Sequence, residues 1–296
     1  MEQTQEKVWT AKERKRESRR KFIKALFKRK VVLVGAIGVV IFVLIALFAP
    51  LLSPYDPNAA DFFSALQPPS SEHWLGTDDL GRDVLSRIIY GSRVSLAVGV
   101  LAVAIACIIG TFLGMCAAYI GGAVDAVIMR ACEALMSIPN TVLAMALIAV
   151  FGGGLRNLAI ILGLSTVPGY VRMMRAEVLK IRNSDFVMAG KLQGSHSIRL
   201  MYKHILPNCL SPIIVMMTQQ VGQTILVEAG LSFLGVGVSV PTASWGAMVS
   251  DGKAYLLTNP VFAITPGLCV AVLVICLNMF GDGIRDALDP RLRGDI

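Results

Sequence analysis

The chain has 296 residues, of which 55% are hydrophobic and 16% are charged. Soluble domains carry about 25% charged residues, so an ordinary soluble protein is excluded, as is intrinsic disorder, which needs low hydrophobicity. The net charge of +8 would point to nucleic acid in a soluble protein. In a membrane protein the placement of the charges carries the information instead.

Residues 1–30 form a polar tail with twelve Lys/Arg against four Glu, which accounts for the whole positive excess. The excess therefore reads as an orientation signal, with attraction to anionic lipid headgroups as a secondary effect and no nucleic-acid partner. Val31–Pro50 is an uninterrupted apolar run of twenty residues. At about 1.5 Å per helical residue it covers the roughly 30 Å hydrocarbon core. The long charged tail and the missing A-x-A site favour an uncleaved first transmembrane helix over a signal peptide.

Residues 51–93 are polar and rich in turn formers, a structured loop with one short helix near Arg82–Tyr90. The loop holds six acidic residues (Asp56, Asp61, Glu72, Asp78, Asp79, Asp83) against Arg82, Arg87 and Arg93. Asp78, Asp79 and Asp83 lie in a turn-like stretch, where capping of the backbone and solvation are the ordinary roles.

Five further spans are predicted at Val94–Ile120, Val127–Val150, Leu158–Met174, Cys209–Leu234 and Val261–Phe280. Pro139 predicts a kink in the second of these, and Pro168-Gly169 interrupts the third; both are tolerated where neighbouring helices satisfy the freed backbone. Gly110-x-x-x-Gly114, continued by Ala117 and Gly121, has the spacing that lets two helix backbones approach closely. Six spans put both termini on one side. The connections on that side carry 23 Lys/Arg and those on the other side 5, which places both termini in the cytoplasm. Glu133 and Glu228 are the notable charges at membrane depth, candidates for function or for a structural hydrogen bond.

The six cysteines show no CxxC spacing and read as small core residues, and the three histidines do not cluster with them, so no metal site is expected. There is no G-x-x-x-x-G-K-[ST], H-E-x-x-H or G-x-S-x-G, hence no expected catalytic residue. With six spans this favours a transport or channel subunit over an enzyme.

The most informative stretch is Asp185–Asn208, DFVMAGKLQGSHSIRLMYKHILPN, between the fourth and fifth spans. It reads as two short helices, one with an apolar edge of Phe186, Val187, Ala189 and Leu192, the other with Ile198, Leu200, Met201 and Ile205. Gly194 and Ser195 break them, Ser184 or Asp185 caps the first, and Leu206-Pro207 ends the second. Such a loop lies on the membrane surface or docks a cytoplasmic partner.

The stretch resembles the EAA motif of ABC importer permeases, whose pattern is E-A-A, three residues, G, nine residues, I-x-L-P. Met188-Ala189-Gly190 occupy the first positions, Gly194 is the glycine, His204 stands for the Ile, and Leu206-Pro207 complete it; His204–Asn208 reads H-I-L-P-N. Met188 lacks the usual carboxylate, and Gly190 costs up to about 1 kcal/mol of helix propensity relative to Ala. His73–Leu96, Glu228–Gly252 and Phe280–Gly294 are similar to further signatures of the peptide/nickel branch, most of all its C-type permease subunit. The likeness covers nearly everything after residue 30.

The resemblance implies an all-α integral membrane protein, a six-helix type I ABC importer permease with cytoplasmic coupling helices. It divides the chain into a basic tail (1–30), a first transmembrane helix (31–50), an extracytoplasmic loop (51–93), a five-helix core (94–282) containing the coupling loop (185–208), and a C-terminal tail (283–296). It implies a second homologous permease, two cytoplasmic P-loop ATPases that use ATP-Mg, and an extracytoplasmic binding protein, in a bacterial inner membrane. This chain itself would bind no cofactor. The implied cargo is di- or oligopeptide, with nickel, a metal chelate or glutathione as the alternative. ATPase coupling would fall to Asp185, Phe186, Ala189, Gly190, Gly194, Ser195, His204, Leu206 and Pro207. Asp78, Asp79, Asp83 and Trp245 are candidates for extracytoplasmic contact, and Trp245 reads by default as an interfacial anchor.

Overall fold

The computed structural model describes residues 26–27, 29–238 and 241–288. The basic tail up to residue 25 and the C-terminal tail from residue 289 lie outside them. Every regular element among the described residues is helical, with one isolated bridge between Thr77 and Asp83.

The first apolar run folds as α1 (Lys30–Leu47), which turns at Phe48 into a one-turn helix, α2 (Ala49–Leu52), that takes up Pro50 in its first turn. Residues 53–83 form an irregular cap. α3 (Val84–Ile120) then runs for 37 residues without a break. The short helix expected near Arg82–Tyr90 and the span expected from Val94 are thus one element. Its start is fixed by Asp83, whose carboxylate accepts from the Ser86 amide at 2.7 Å.

The next expected span is two helices, α4 (Gly122–Met136) and α5 (Asn140–Phe151), at 88° to one another. Pro139 supplies no N–H and holds the residue before it out of the helical region, so the kink becomes a break. α6 (Leu155–Ile181) keeps Pro168 inside it, and Thr166 Oγ1 donates to the carbonyls of Leu162 and Gly163 one turn back. The loop helices are α7 (Asp185–Leu192) and α8 (Ser197–Leu200); a π turn over Met201–Ile205 leads into α9 (Leu206–Phe233). α10 (Trp245–Gly252) and α11 (Pro260–Leu288) are the last helices of the described residues.

Among the described residues four helices are long and apolar enough to cross a membrane, α1, α3, the α8–α9 run and α11, and the bent α4–α5 pair makes a fifth candidate. The remaining expected span, the fourth in chain order, is α6, which has 27 residues and so the length. Arg156, Arg172, Arg175, Glu177 and Lys180 reduce its apolar character, while Tyr170, Val171, Met174 and Val178 are fully buried against the bundle.

α3 and α6 form the centre of the fold. Gly110 and Gly114 are both buried in their interface. A Cβ on Gly110 would collide with Tyr170 Cβ, and one on Gly114 with the Val171 carbonyl oxygen. The backbones therefore touch, as the small-residue spacing predicts. Gly121, the last residue of that pattern, lies at the helix end with open space around it. Gly114→Ala should gain about 1 kcal/mol of helix propensity yet lose about 1–3 kcal/mol to overpacking, because a backbone carbonyl cannot rotate away. A lower thermal midpoint of the detergent-purified variant is the expected result.

α1 is peripheral. It docks on α11 through Gly35, where a Cβ would stand 2.7 Å from Met279 Cβ. Most of its remaining surface is exposed, including Val34, Ile37, Val40 and Leu47.

Candidate functional site

Two constructions stand out at opposite ends of α3: the 185–208 loop and the 53–83 cap.

The loop is built from local signals. Ser184 opens α7 through its carbonyl, which accepts from the amides of Val187 and Met188, both at 3.0 Å. Its hydroxyl donates back to the Ile181 carbonyl at 2.6 Å, so the expected side-chain cap at Ser184 is replaced by a backbone one. Gly194 ends the helix at φ +74°, a left-handed conformation that glycine adopts at no steric cost. Leu206-Pro207 does not stop the second helix. The π turn over Met201–Ile205 carries the chain straight into α9, with Pro207 in the first turn, where its missing N–H costs nothing. Asn208 Nδ2 donates to the His204 carbonyl at 2.7 Å, satisfying an acceptor near the proline.

The loop has two faces. Val187, Leu200 and Ile205 are fully buried, and Met201 nearly so. Val187, Met201 and Ile205 belong to the same apolar core as Met115 and Ala118 of α3 and Met174 and Val178 of α6. The two expected apolar edges are therefore divided between the faces. Phe186, Met188, Ala189, Leu192 and Ile198 point outward, with Leu192 87% exposed. Asp185, Gly194 and Pro207 are also exposed, while Gly190, Ser195, His204 and Leu206 are half-buried. A Cβ on Gly190 would lie 2.5 Å from Leu200 Cδ2. Leu200 thus packs into the space that an alanine methyl at this departure from E-A-A would share.

The segment leading into the loop is tied to the bundle by charge as well. Arg175 of α6 makes a bidentate pair with Asp125 of α4, both contacts at 2.6 Å. Arg182, just before the loop, donates to the Ala118 carbonyl of α3 at 3.0 Å. These contacts join α6 and the residue that follows it to α4 and α3. Of the two carboxylates singled out at membrane depth, Glu133 is on the surface, paired with Arg130 at 2.8 Å. Glu228 is fully buried and accepts from Ser232 at 2.8 Å and Ser95 at 3.1 Å, linking α9 to α3.

The cap turns its charges inward. Asp78 is fully buried; its Oδ1 accepts from the amides of Leu80 and Arg82, each at 2.9 Å, and its Oδ2 from Arg82 Nε at 2.6 Å. Arg87 Nε stands 3.4 Å from the same oxygen, and Arg87 Nη1 donates to the Pro57 carbonyl at 3.0 Å. Asp83 is 3% exposed and takes His73 Nδ1 at 2.9 Å on one oxygen and Ser86 on the other. The expected capping roles hold, but solvation does not. Asp78 and Asp83 have no surface for an outside partner, and of the three aspartates Asp79 alone keeps substantial exposure, 33%.

Trp245 is likewise not an interfacial anchor. Its ring is fully buried, its Nε1 donates to the Ile88 carbonyl at 2.9 Å, and Phe42 meets it edge-on at 5.8 Å. Gly91 makes the room, since a Cβ there would stand 2.7 Å from Trp245 Cδ1. The tryptophan pins α1, α3 and α10 together beneath the cap.

Comparison with known proteins places this architecture. Residues 109–294 match the model of the family described as binding-protein-dependent transport system inner membrane component, and residues 19–69 match the N-terminal transmembrane domain of oligopeptide transport permease C. The chain belongs to this transport-component family. Among its relatives is the dipeptide transport system permease protein DppC of Alkalihalophilus pseudofirmus, 43% identical over 93% of this chain and 90% of that one. The probable D,D-dipeptide transport system permease protein DdpC of Escherichia coli is 42% identical over 88% and 87%. The glutathione transport system permease protein GsiD of Pectobacterium atrosepticum is 36% identical over 93% and 91%. An inward-facing structure of the MetNI methionine ABC transporter aligns with a TM-score of 0.56 at 18% identity, over 69% of this chain and 96% of that one. The fold is thus that of a type I ABC importer permease, and the chain is a membrane-embedded permease subunit rather than an enzyme.

Proposed function

We propose that this permease forms, with a second homologous permease, the path by which an ATP-driven importer takes up di- or oligopeptides. An extracytoplasmic binding protein delivers the cargo, and two cytoplasmic P-loop ATPases dock on the 185–208 loop and use ATP-Mg. Both termini lie in the cytoplasm of a bacterial inner membrane, an orientation that the 23-to-5 division of Lys/Arg supports. The observation that carries the coupling role is the two-faced loop. Its outward face carries exposed apolar side chains with no packing partner among the described residues, while its inward face is continuous with the α3–α6 core. A push on Phe186, Ala189 or Leu192 reaches the spans as a rigid-body movement, the device by which alternating access works. His204, Leu206 and Pro207 act as the hinge between loop and α9. Of the four residues expected to make extracytoplasmic contact, Asp79 alone keeps a partly exposed side chain for the delivering protein.

Peptide cargo is supported by the dipeptide permeases DppC and DdpC among the relatives. Glutathione is the second reading, supported by GsiD. Uptake of labelled dipeptide, oligopeptide and glutathione by cells expressing the complete importer tests both. Dipeptide or oligopeptide accumulation that stops when this chain is deleted is the expected result; accumulation of glutathione alone would favour the second reading.

A further inference from the structure

Beside the outer turn of α1 lies a cavity of about 720 Å³ that none of the roles above uses. Its walls come from Pro50 and Ser53 at the end of α1–α2, Tyr55 and Asp56 at the start of the cap, and Tyr90 and Arg93 on α3. Two opposite charges line it. Arg93 makes no ion pair or hydrogen bond among the described residues, and its guanidinium lies 5.9 Å from the centroid of the Tyr90 ring. Asp56 accepts at 2.8 Å from the Asn58 amide through Oδ1 and has no cationic partner among the described residues. Both side chains are exposed.

The surroundings say which kind of molecule fits. The residues flanking the lining Pro50 and Ser53 are apolar and open: Leu47 is 65% exposed, Phe48 50% and Leu51 81%. They continue the lipid-facing side of α1 up to the cavity mouth. An apolar shelf below a pocket holding one unpaired cation and one unpaired anion matches an acyl chain below a zwitterionic headgroup. An anionic headgroup would meet Arg93 but be repelled by Asp56. A tyrosine at this boundary suits the amphipathic interface.

We propose that this cavity binds the headgroup of an aminophospholipid of the phosphatidylethanolamine type, with Arg93 on the phosphate, Asp56 on the ammonium, and the acyl chains along the outer end of α1. The site holds a lipid of the leaflet on the cap's side and braces α1 against α3.

Native mass spectrometry of the full-length permease purified in detergent tests this, with palmitoyl-oleoyl phosphatidylethanolamine, the matching phosphatidylglycerol, and free phosphoethanolamine as probes. The ethanolamine lipid should bind about tenfold more tightly than the glycerol lipid, the factor that 1.4 kcal/mol represents. Arg93→Gln should weaken the ethanolamine lipid by about tenfold, again 1.4 kcal/mol. Asp56→Asn should remove the preference over the glycerol lipid, since it deletes the ammonium partner and the repulsion together. Unchanged thermal midpoints of both variants without added lipid show that the fold is intact, as expected for exposed side chains. Equal binding of the two lipids by the unmodified chain would overturn the proposal. So would ethanolamine-lipid binding that survives Arg93→Gln, or displacement of that lipid by free phosphoethanolamine or a dipeptide at comparable concentration, which would mark a site for soluble zwitterions.

Discussion

Asp78→Ala is expected to destabilise the permease by about 3–5 kcal/mol, the cost of removing one partner from a buried ion pair. The reason is what the substitution leaves behind. Arg82 is 4% exposed and Arg87 2% exposed, and both direct a guanidinium nitrogen at the Asp78 carboxylate. Without it two buried cations lose the carboxylate they share. The same carboxylate closes the 78–82 turn by accepting from two amides. Asp79→Ala is the control. Asp79 reaches Arg82 at only 3.9 Å and is partly exposed, so its loss should cost about 1 kcal/mol or less. Thermal unfolding of the two variants in detergent separates them, and equal midpoints would refute the inward-facing reading of the cap.

The largest effect on transport is expected from the outward face of the coupling loop. The double substitution Phe186→Asp with Ala189→Arg should lower peptide uptake by about thirtyfold or more, the equivalent of a 2 kcal/mol interface hot spot. Both side chains are exposed, so the thermal midpoint of the isolated permease should stay where it was. Val187→Ala should do the reverse. Val187 is fully buried in the shared core, so its truncation lowers the midpoint first. Uptake and thermal midpoint measured on the same variants keep docking and folding apart.

What could be read in advance, and what could not, follows from how local each signal is. Gly194, the apolar spacing on either side of it and Pro139 act within a few residues, so the two loop helices and the interruption between α4 and α5 are visible in the sequence. The Gly110-x-x-x-Gly114 spacing likewise shows a close helix contact, although the identity of the partner helix is a tertiary fact. Pro207 misleads because the π turn absorbs the proline's missing donor, and no composition signal marks that turn. Asp78 and Arg82 display an i, i+4 charge pairing in the sequence. Their burial depends on Arg87 and on a Pro57 carbonyl 30 residues upstream of it. Trp245 is the extreme case. Its acceptor, the Ile88 carbonyl, is 157 residues away, and the space for its ring is made by Gly91, which looks unremarkable within an apolar helix. The apolar stretch Leu158–Met174 marks the span, but not the full length of α6, because Arg175 and Lys180 extend the helix beyond the apolar run and Arg175 pairs with Asp125 of α4.

In the proposed function the ATPases push on the outward face of Phe186–Leu192. A photo-crosslinking amino acid placed at Phe186 or Leu192 in the assembled importer tests this most directly. Crosslinks from both positions to an ATPase subunit, with none from Trp74 on the far side of the cap, are the predicted result. Crosslinks from Phe186 or Leu192 to the binding protein, or to lipid alone in the assembled and active importer, would contradict it.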